Sequence, residues 1–155
     1  MRVIFLLNIT KVGGAACAYA SNLVIIDIPE GVVSIGEGAF LCCPSLTTVS
    51  FPTTITSIGD RAFHDCSSPE NVDLLRTNLQ ELGKYAFINY SELKSMTIPD
   101  SLQTLGDNVF HNCSKLVPSN IDVSEDSDDY SDDSDGYNDD NDATSEVLAH
   151  LFLQK

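Results

Sequence analysis

The chain has 155 residues, the length of one ordinary domain, and its 43% hydrophobic content suits a packed core of average size. Its formal charge of -15 is unevenly placed: residues 1–121 hold 11 acids and 7 bases, whereas residues 122–146 hold 12 acids and no base. Without clustered Lys and Arg to meet phosphates, neither nucleic acid nor an anionic membrane is expected as a partner.

Residues 1–20 admit two readings. Arg2, the apolar run Val3–Leu7 and Ala18-Tyr19-Ala20 could be a signal peptide with its cleavage site. The run is short, however, and Asn8, Thr10 and Lys11 interrupt it. The favoured reading is a degenerate first copy of the repeat that follows. Shifted by 23 residues, Val3 and Phe5 fall on strand positions, Ile9 on a link, and Val12-Gly13 on a recurring aliphatic-glycine step. No run approaches the ~18 apolar residues of a membrane-spanning helix.

From Leu23 a unit recurs in register. It opens on a short alternating run, with inward pairs Ile26/Ile28, Val49/Phe51, Val72/Leu74 and Met96/Ile98, which predicts a strand buried on one face. Pro29, Pro52 and Pro99 end three of these strands. The third copy is degraded, with Pro69 where the others have Leu and one extra residue after Leu75. A link with one aliphatic residue follows (Val32, Ile55, Leu79, Leu102), then [Ile/Leu]-Gly-x-x-[Ala/Val]-Phe-x-x-[Cys/Tyr]. That signature places Gly36, Phe40 and Cys43 in one copy and Gly59, Phe63 and Cys66 in the next. It then supplies Gly83, Phe87 and Tyr90, and Gly106, Phe110 and Cys113. The glycines are 23, 24 and 23 residues apart, the period of a stacked solenoid. Apolar spacings of three and four after each glycine predict a single helical turn. The phenylalanines are expected to stack as a core spine. Five cysteines with no CxxC pair make a poor disulfide or zinc framework, so Cys43, Cys66 and Cys113 are read as core residues.

These residues resemble the BspA-type leucine-rich repeat over about residues 23–121. The resemblance implies an α/β leucine-rich-repeat solenoid of ~23-residue coils, with a concave parallel sheet and short helical turns or irregular structure on the convex side. It also implies protein binding or surface adhesion without catalysis. About five coils are expected in residues 1–121.

The outward strand positions form two columns. One holds Arg2, Ile25, Thr48, Asn71 and Ser95; the other holds Ile4, Asp27, Ser50, Asp73 and Thr97. On a solenoid this is the usual binding face. Ser50 between two aspartates could serve as a nucleophile only with a histidine base nearby. His64 and His111 follow the spine phenylalanines, and His150 lies near the end of the chain. No catalytic residue, metal ligand or cofactor is therefore assigned.

Residues 122–146 are too acidic to bury a core and are expected to be disordered, with residues 147–155 a short apolar segment. Around Gly136, Asp133, Asp135 and Asp142 fit a calcium-loop template that Ser131 breaks. The leading expectation is a non-enzymatic module that binds a protein through its concave ladder, most simply in the cytoplasm. Two alternatives remain: an acidic tail that binds basic proteins or Ca²⁺ with the repeats as holder, or a secreted adhesion protein; in either case uncapped ends leave self-association open. The Asn-x-Ser/Thr triplets at Asn8, Asn89 and Asn112 matter only if the chain is secreted.

Overall fold

In the computed structural model, the described residues are 2–3, 5 and 8–117, with the backbone of 121–123. The acidic run beyond Val123, the calcium-loop template and residues 147–155 lie outside them. Within them the chain is a solenoid of parallel strands, each coil pairing with the coils before and after it.

The most continuous element is one the sequence reading treats as a plain extended link. β2 (Lys11–Val12), β4 (Ser34–Ile35), β6 (Ser57–Ile58), β8 (Glu81–Leu82) and β10 (Thr104–Leu105) form one unbroken five-stranded sheet. At two residues per strand there is no room for a visible alternation. The ladder depends instead on the glycine that follows each strand. A Cβ at Gly36, Gly59, Gly83 or Gly106 would come within 2.4–2.8 Å of backbone atoms in the preceding coil. Glycine at this step is therefore a matter of closeness between coils rather than of φ.

The expected strands form a second face, split in two. β1 (Arg2–Val3), β3 (Ile25–Asp27) and β5 (Thr48–Ser50) make one three-stranded sheet. β7 (Asn71–Asp73), β9 (Ser95–Ile98) and β11 (Ile121–Val123) make another. Arg2 pairs with Ile25 and Lys11 with Ser34, the 23-residue shift that defines a first coil. No ladder joins β5 to β7, and Pro69 accounts for the gap. Leu23, Leu46, Leu93 and Leu116 each donate a backbone N–H to the carbonyl three residues earlier, at 3.0–3.2 Å, which closes the turn before the strand. Pro69 has no N–H to donate, so this turn stays open and β7 stands away from β5. At the other end, β11 pairs Ile121 with Met96 and Val123 with Ile98. The sequence register put Ser119 opposite Met96, so the last strand sits two residues later than expected and runs two residues past the expected end of the solenoid.

The predicted helical turn is not formed; the described residues contain no helix. Two residues per coil instead take left-handed backbone. The second residue after the glycine does so at Ala15, Gly38, Arg61, Tyr85 and Asn108, with φ of 54–59°. The sixth does so at Tyr19, Cys42, Asp65, Asn89 and Asn112, with φ of 55–64°. These reversals aim alternate N–H groups sideways at the next coil. Gly38, Phe40 and Cys42 donate to the carbonyls of Asp60, Ala62 and His64 at 2.8–2.9 Å. Tyr85, Phe87 and Asn89 donate in the same way to Asp107, Val109 and His111 at 2.9–3.1 Å. A helix would consume the same donors within its own turn.

Beneath this half lies the spine. Phe40, Phe63, Phe87 and Phe110 are fully buried, with successive centroids 5.1, 5.5 and 6.0 Å apart and near-parallel rings. Each such ring removed from water contributes about 1.5–3 kcal/mol. Cys66 and Cys113 are buried beside the spine, and their thiols donate to the Phe40 and Phe87 carbonyls at 3.1 and 3.3 Å.

Candidate functional site

Short strands and side chains set out at the 23-residue period give the split sheet an outward face with two straight columns. Ile25, Thr48 and Asn71 are exposed and Ser95 is half-buried; Ser50 and Asp73 are exposed, and Asp27 and Thr97 are half-buried. The side chains bond along the columns, from coil to coil. Arg2 pairs with Asp27, and Ser50 Oγ donates to Asp27 Oδ1 at 3.0 Å. Across the other half-sheet, Ser95 Oγ donates to Asn71 Oδ1 and Thr97 Oγ1 donates to Asp73 Oδ1. The Thr97 hydroxyl, then the Leu75 N–H, hold the Asp73 carboxyl below the usual carboxylate range.

The ladder of side chains stops where the backbone ladder stops. Between β5 and β7 lies an open cleft of about 430 Å³, lined by Thr47, Thr48, Val49, Ser68, Glu70 and Asn71. Ser68 Oγ donates to the Pro44 carbonyl at 2.5 Å and fixes the opened turn against the preceding coil. On the far wall Glu70 Oε2 accepts from Lys94 Nζ at 2.9 Å, which leaves the rim close to neutral. The sequence reading named Thr48 and Asn71 as column residues but did not bring them together as two walls of one cleft. The signal was Pro69, which was noted as a damaged copy and nothing more.

Ser50 has no histidine partner among the described residues. Its hydroxyl is committed to Asp27, and His64 lies in the turn half with Nδ1 3.0 Å from Asp65 Oδ2, out of line for a hydrogen bond. Four of the cysteines are raised and stay thiols, whereas Cys43 is lowered by the hydrogen bond it shares with Cys66. Burial pushes Cys113 up to about 12, and burial likewise raises Cys17 and Cys42. Cys66 is raised by the adjoining Cys43 sulfur and then by burial.

A second groove, about 420 Å³, runs over the five-stranded sheet. Ser57, Glu81 and Thr104 line it, Gly59, Gly83 and Gly106 form its floor, and Asp60 and Lys84 stand at its rim. The sequence reading missed this face because it expected no sheet there. Asp60, the residue after Gly59, accepts from the Lys84 backbone N–H of the next coil at 2.8 Å. No helix of the described residues is long and apolar enough to cross a membrane.

The family model for the BspA type leucine rich repeat region matches residues 2–125 in six copies. No curated protein matches the chain. Among solved structures, the leucine rich repeat protein of T. pallidum is similar at 28% identity and a TM-score of 0.67, over 70% of this chain and 50% of that one. A leucine rich cell surface protein from Faecalibacterium prausnitzii is similar at 28% identity and 0.70, over 81% of this chain and 32% of that one. A leucine-rich repeat protein from Bacteroides ovatus is similar at 25% identity and 0.60, over 74% and 35%. The chain thus spans half or less of the length of these structures.

Proposed function

The chain belongs to the BspA-type leucine-rich-repeat family, and from that premise we propose that it is a non-enzymatic protein-binding module. Its contact surface is the outward face of the split sheet: Ile25, Asp27, Thr48, Ser50, Asn71, Asp73, Ser95 and Thr97. The observation that carries this reading is the interruption of that face. Among the described residues every other juncture on the two faces is closed by a backbone ladder, whereas here two strand edges border an open cleft at the centre of the exposed columns. A partner that docks on the columns would find hydrogen-bonding groups not already used within the protein. Similarity to a protein described as cell-surface supports a place for such binding at a cell exterior, as an adhesion contact.

The experiment compares capture of a partner by three forms of the chain. These are the unaltered chain, an Ile25→Arg/Thr48→Arg variant, and a chain ended after Val123. Face binding predicts that the shortened chain keeps the partner, that the arginine variant loses it, and that retention varies little with salt. Loss on shortening, with a steep salt dependence, would move the function to the acidic residues 122–146 and to basic partners or Ca²⁺.

A further inference from the structure

We propose that the cleft between β5 and β7 recognises a side-chain carboxamide, an Asn or Gln presented by the protein partner. This assignment rests on the protein-binding reading above and names the group that anchors it. The repeat itself shows which hydrogen bonds are missing. At the preceding juncture the Val24 carbonyl accepts from the backbone N–H groups of Thr47 and Thr48, at 2.9 and 3.3 Å. At the following juncture the Glu70 carbonyl accepts from Lys94 and Ser95, at 2.7 and 3.4 Å. The equivalent set at the cleft is the Thr47 carbonyl with the N–H groups of Glu70 and Asn71, and among the described residues those bonds are not made. At this end of the cleft one wall therefore offers an acceptor and the facing wall offers donors.

A ligand that satisfies both walls must give a proton to Thr47 O and accept one from Asn71 N. An ammonium group donates but cannot accept, and a carboxylate accepts but cannot donate. A hydroxyl does both from one atom, whereas a carboxamide carries its donor and its acceptor on separate atoms that can face opposite walls at once. Charge points the same way, because the Lys94–Glu70 pair neutralises the rim and favours neither ion. The cleft is bordered by closed ladders, β3 with β5 on one side and β7 with β9 on the other. The main chain of a partner then lies on the surface, and only a side chain reaches in. Thr48, Ser68 and Asn71 add further polar groups at the mouth.

The test is a titration of the ¹⁵N-labelled full chain with propionamide, read at the amide resonances of Glu70 and Asn71. Saturable shifts confined to the cleft are expected, and binding roughly tenfold weaker for propionate and for propylammonium, each of which loses one hydrogen bond. Equal or tighter binding of propylammonium, or no saturation with propionamide, overturns the assignment. Tighter binding of N-methylacetamide overturns it in favour of a main-chain peptide group. Pro69→Leu restores the turn-closing N–H and is expected to abolish the shifts and slow hydrogen exchange at Asn71. Should that variant misfold, Asn71→Pro removes one donor while leaving the Glu70 carbonyl bonded to Lys94, and it too must abolish the shifts. If propionamide fails while Ile25→Arg/Thr48→Arg still abolishes partner capture, only the carboxamide assignment falls. If both fail, the binding face falls with it.

Discussion

The two sheets of this solenoid differ in the opposite sense from their strand lengths. The link sheet has strands of two residues and runs unbroken through five coils. The split sheet has strands of up to four residues, with a ladder of side-chain bonds along it, and breaks between β5 and β7. Intrinsic strand preference therefore does not set continuity here. What matters is whether each coil brings its backbone back to the same height. On the link side a glycine at every step allows a close approach. On the split side a single N–H closes the turn before β3, β5, β9 and β11, and among the described residues it is missing only at Pro69.

The largest expected effect comes from removing the intact half of the broken juncture. Gly83 faces Gly59 and Asp60 across β6 and β8, where the other sheet is already parted, and an added Cβ would lie 2.5 Å from backbone. Gly83→Ala should destabilise the chain by about 3 kcal/mol and split urea unfolding into two transitions. Gly59→Ala, at a juncture closed on both sheets, should cost less and leave one transition. Equal losses at the two sites would break the comparison.

A smaller effect should follow the bonds along the columns. Asp73 is held low by Thr97 and the Leu75 N–H, so its folded pKa lies below its unfolded value. Its contribution is present above an unfolded pKa of about 4 and is lost as pH falls through the folded value. Because Asp73 is exposed, Asp73→Asn should lower stability at pH 7 by less than about 1 kcal/mol. It should also flatten the acid limb of the stability curve. Thr97→Val should flatten it too; an unchanged acid limb in both variants would show that the column bonds contribute nothing.

The smallest change is expected in the core shared by both sheets. Tyr90 fills the slot that Cys43, Cys66 and Cys113 fill in other coils, and its buried hydroxyl makes no hydrogen bond among the described residues. Tyr90→Phe should be neutral or stabilising by about 1 kcal/mol, measured by thermal unfolding. A clear loss would mean that the hydroxyl has a partner.

Much of this was legible because the repeat states it four times. The glycine step and the spine phenylalanines follow from period and composition alone, and the structure buries the spine and leaves no room for a Cβ at those glycines. The turn half was misread because spacings of three and four suit a helix and a pair of tight reversals equally well. The corrective signal was Gly38, Asn108, Asp65, Asn89 and Asn112 at the left-handed positions, diluted by Ala15, Arg61 and Tyr85. The link strands are too short to alternate. The cleft was out of reach for another reason: the loss of one N–H is local in the sequence, but its effect appears on a strand one coil away.

The spacing of the side-chain bonds has a consequence for how such a chain can change in length. Glu30 with Thr53, Asp65 with Asn89, Asn89 with Asn112, and Glu92 with Lys115 all lie 23 or 24 residues apart. Because these bonds join a coil to its immediate neighbours, a whole 23-residue unit could be duplicated or excised with the backbone register of the remaining coils kept. The extra residue after Leu75 is absorbed in the same way: the two ladders that span 24 residues, β6 with β8 and β7 with β9, are both closed. Edits in length are thus tolerated by this architecture where the loss of one backbone N–H, at Pro69, opens a seam.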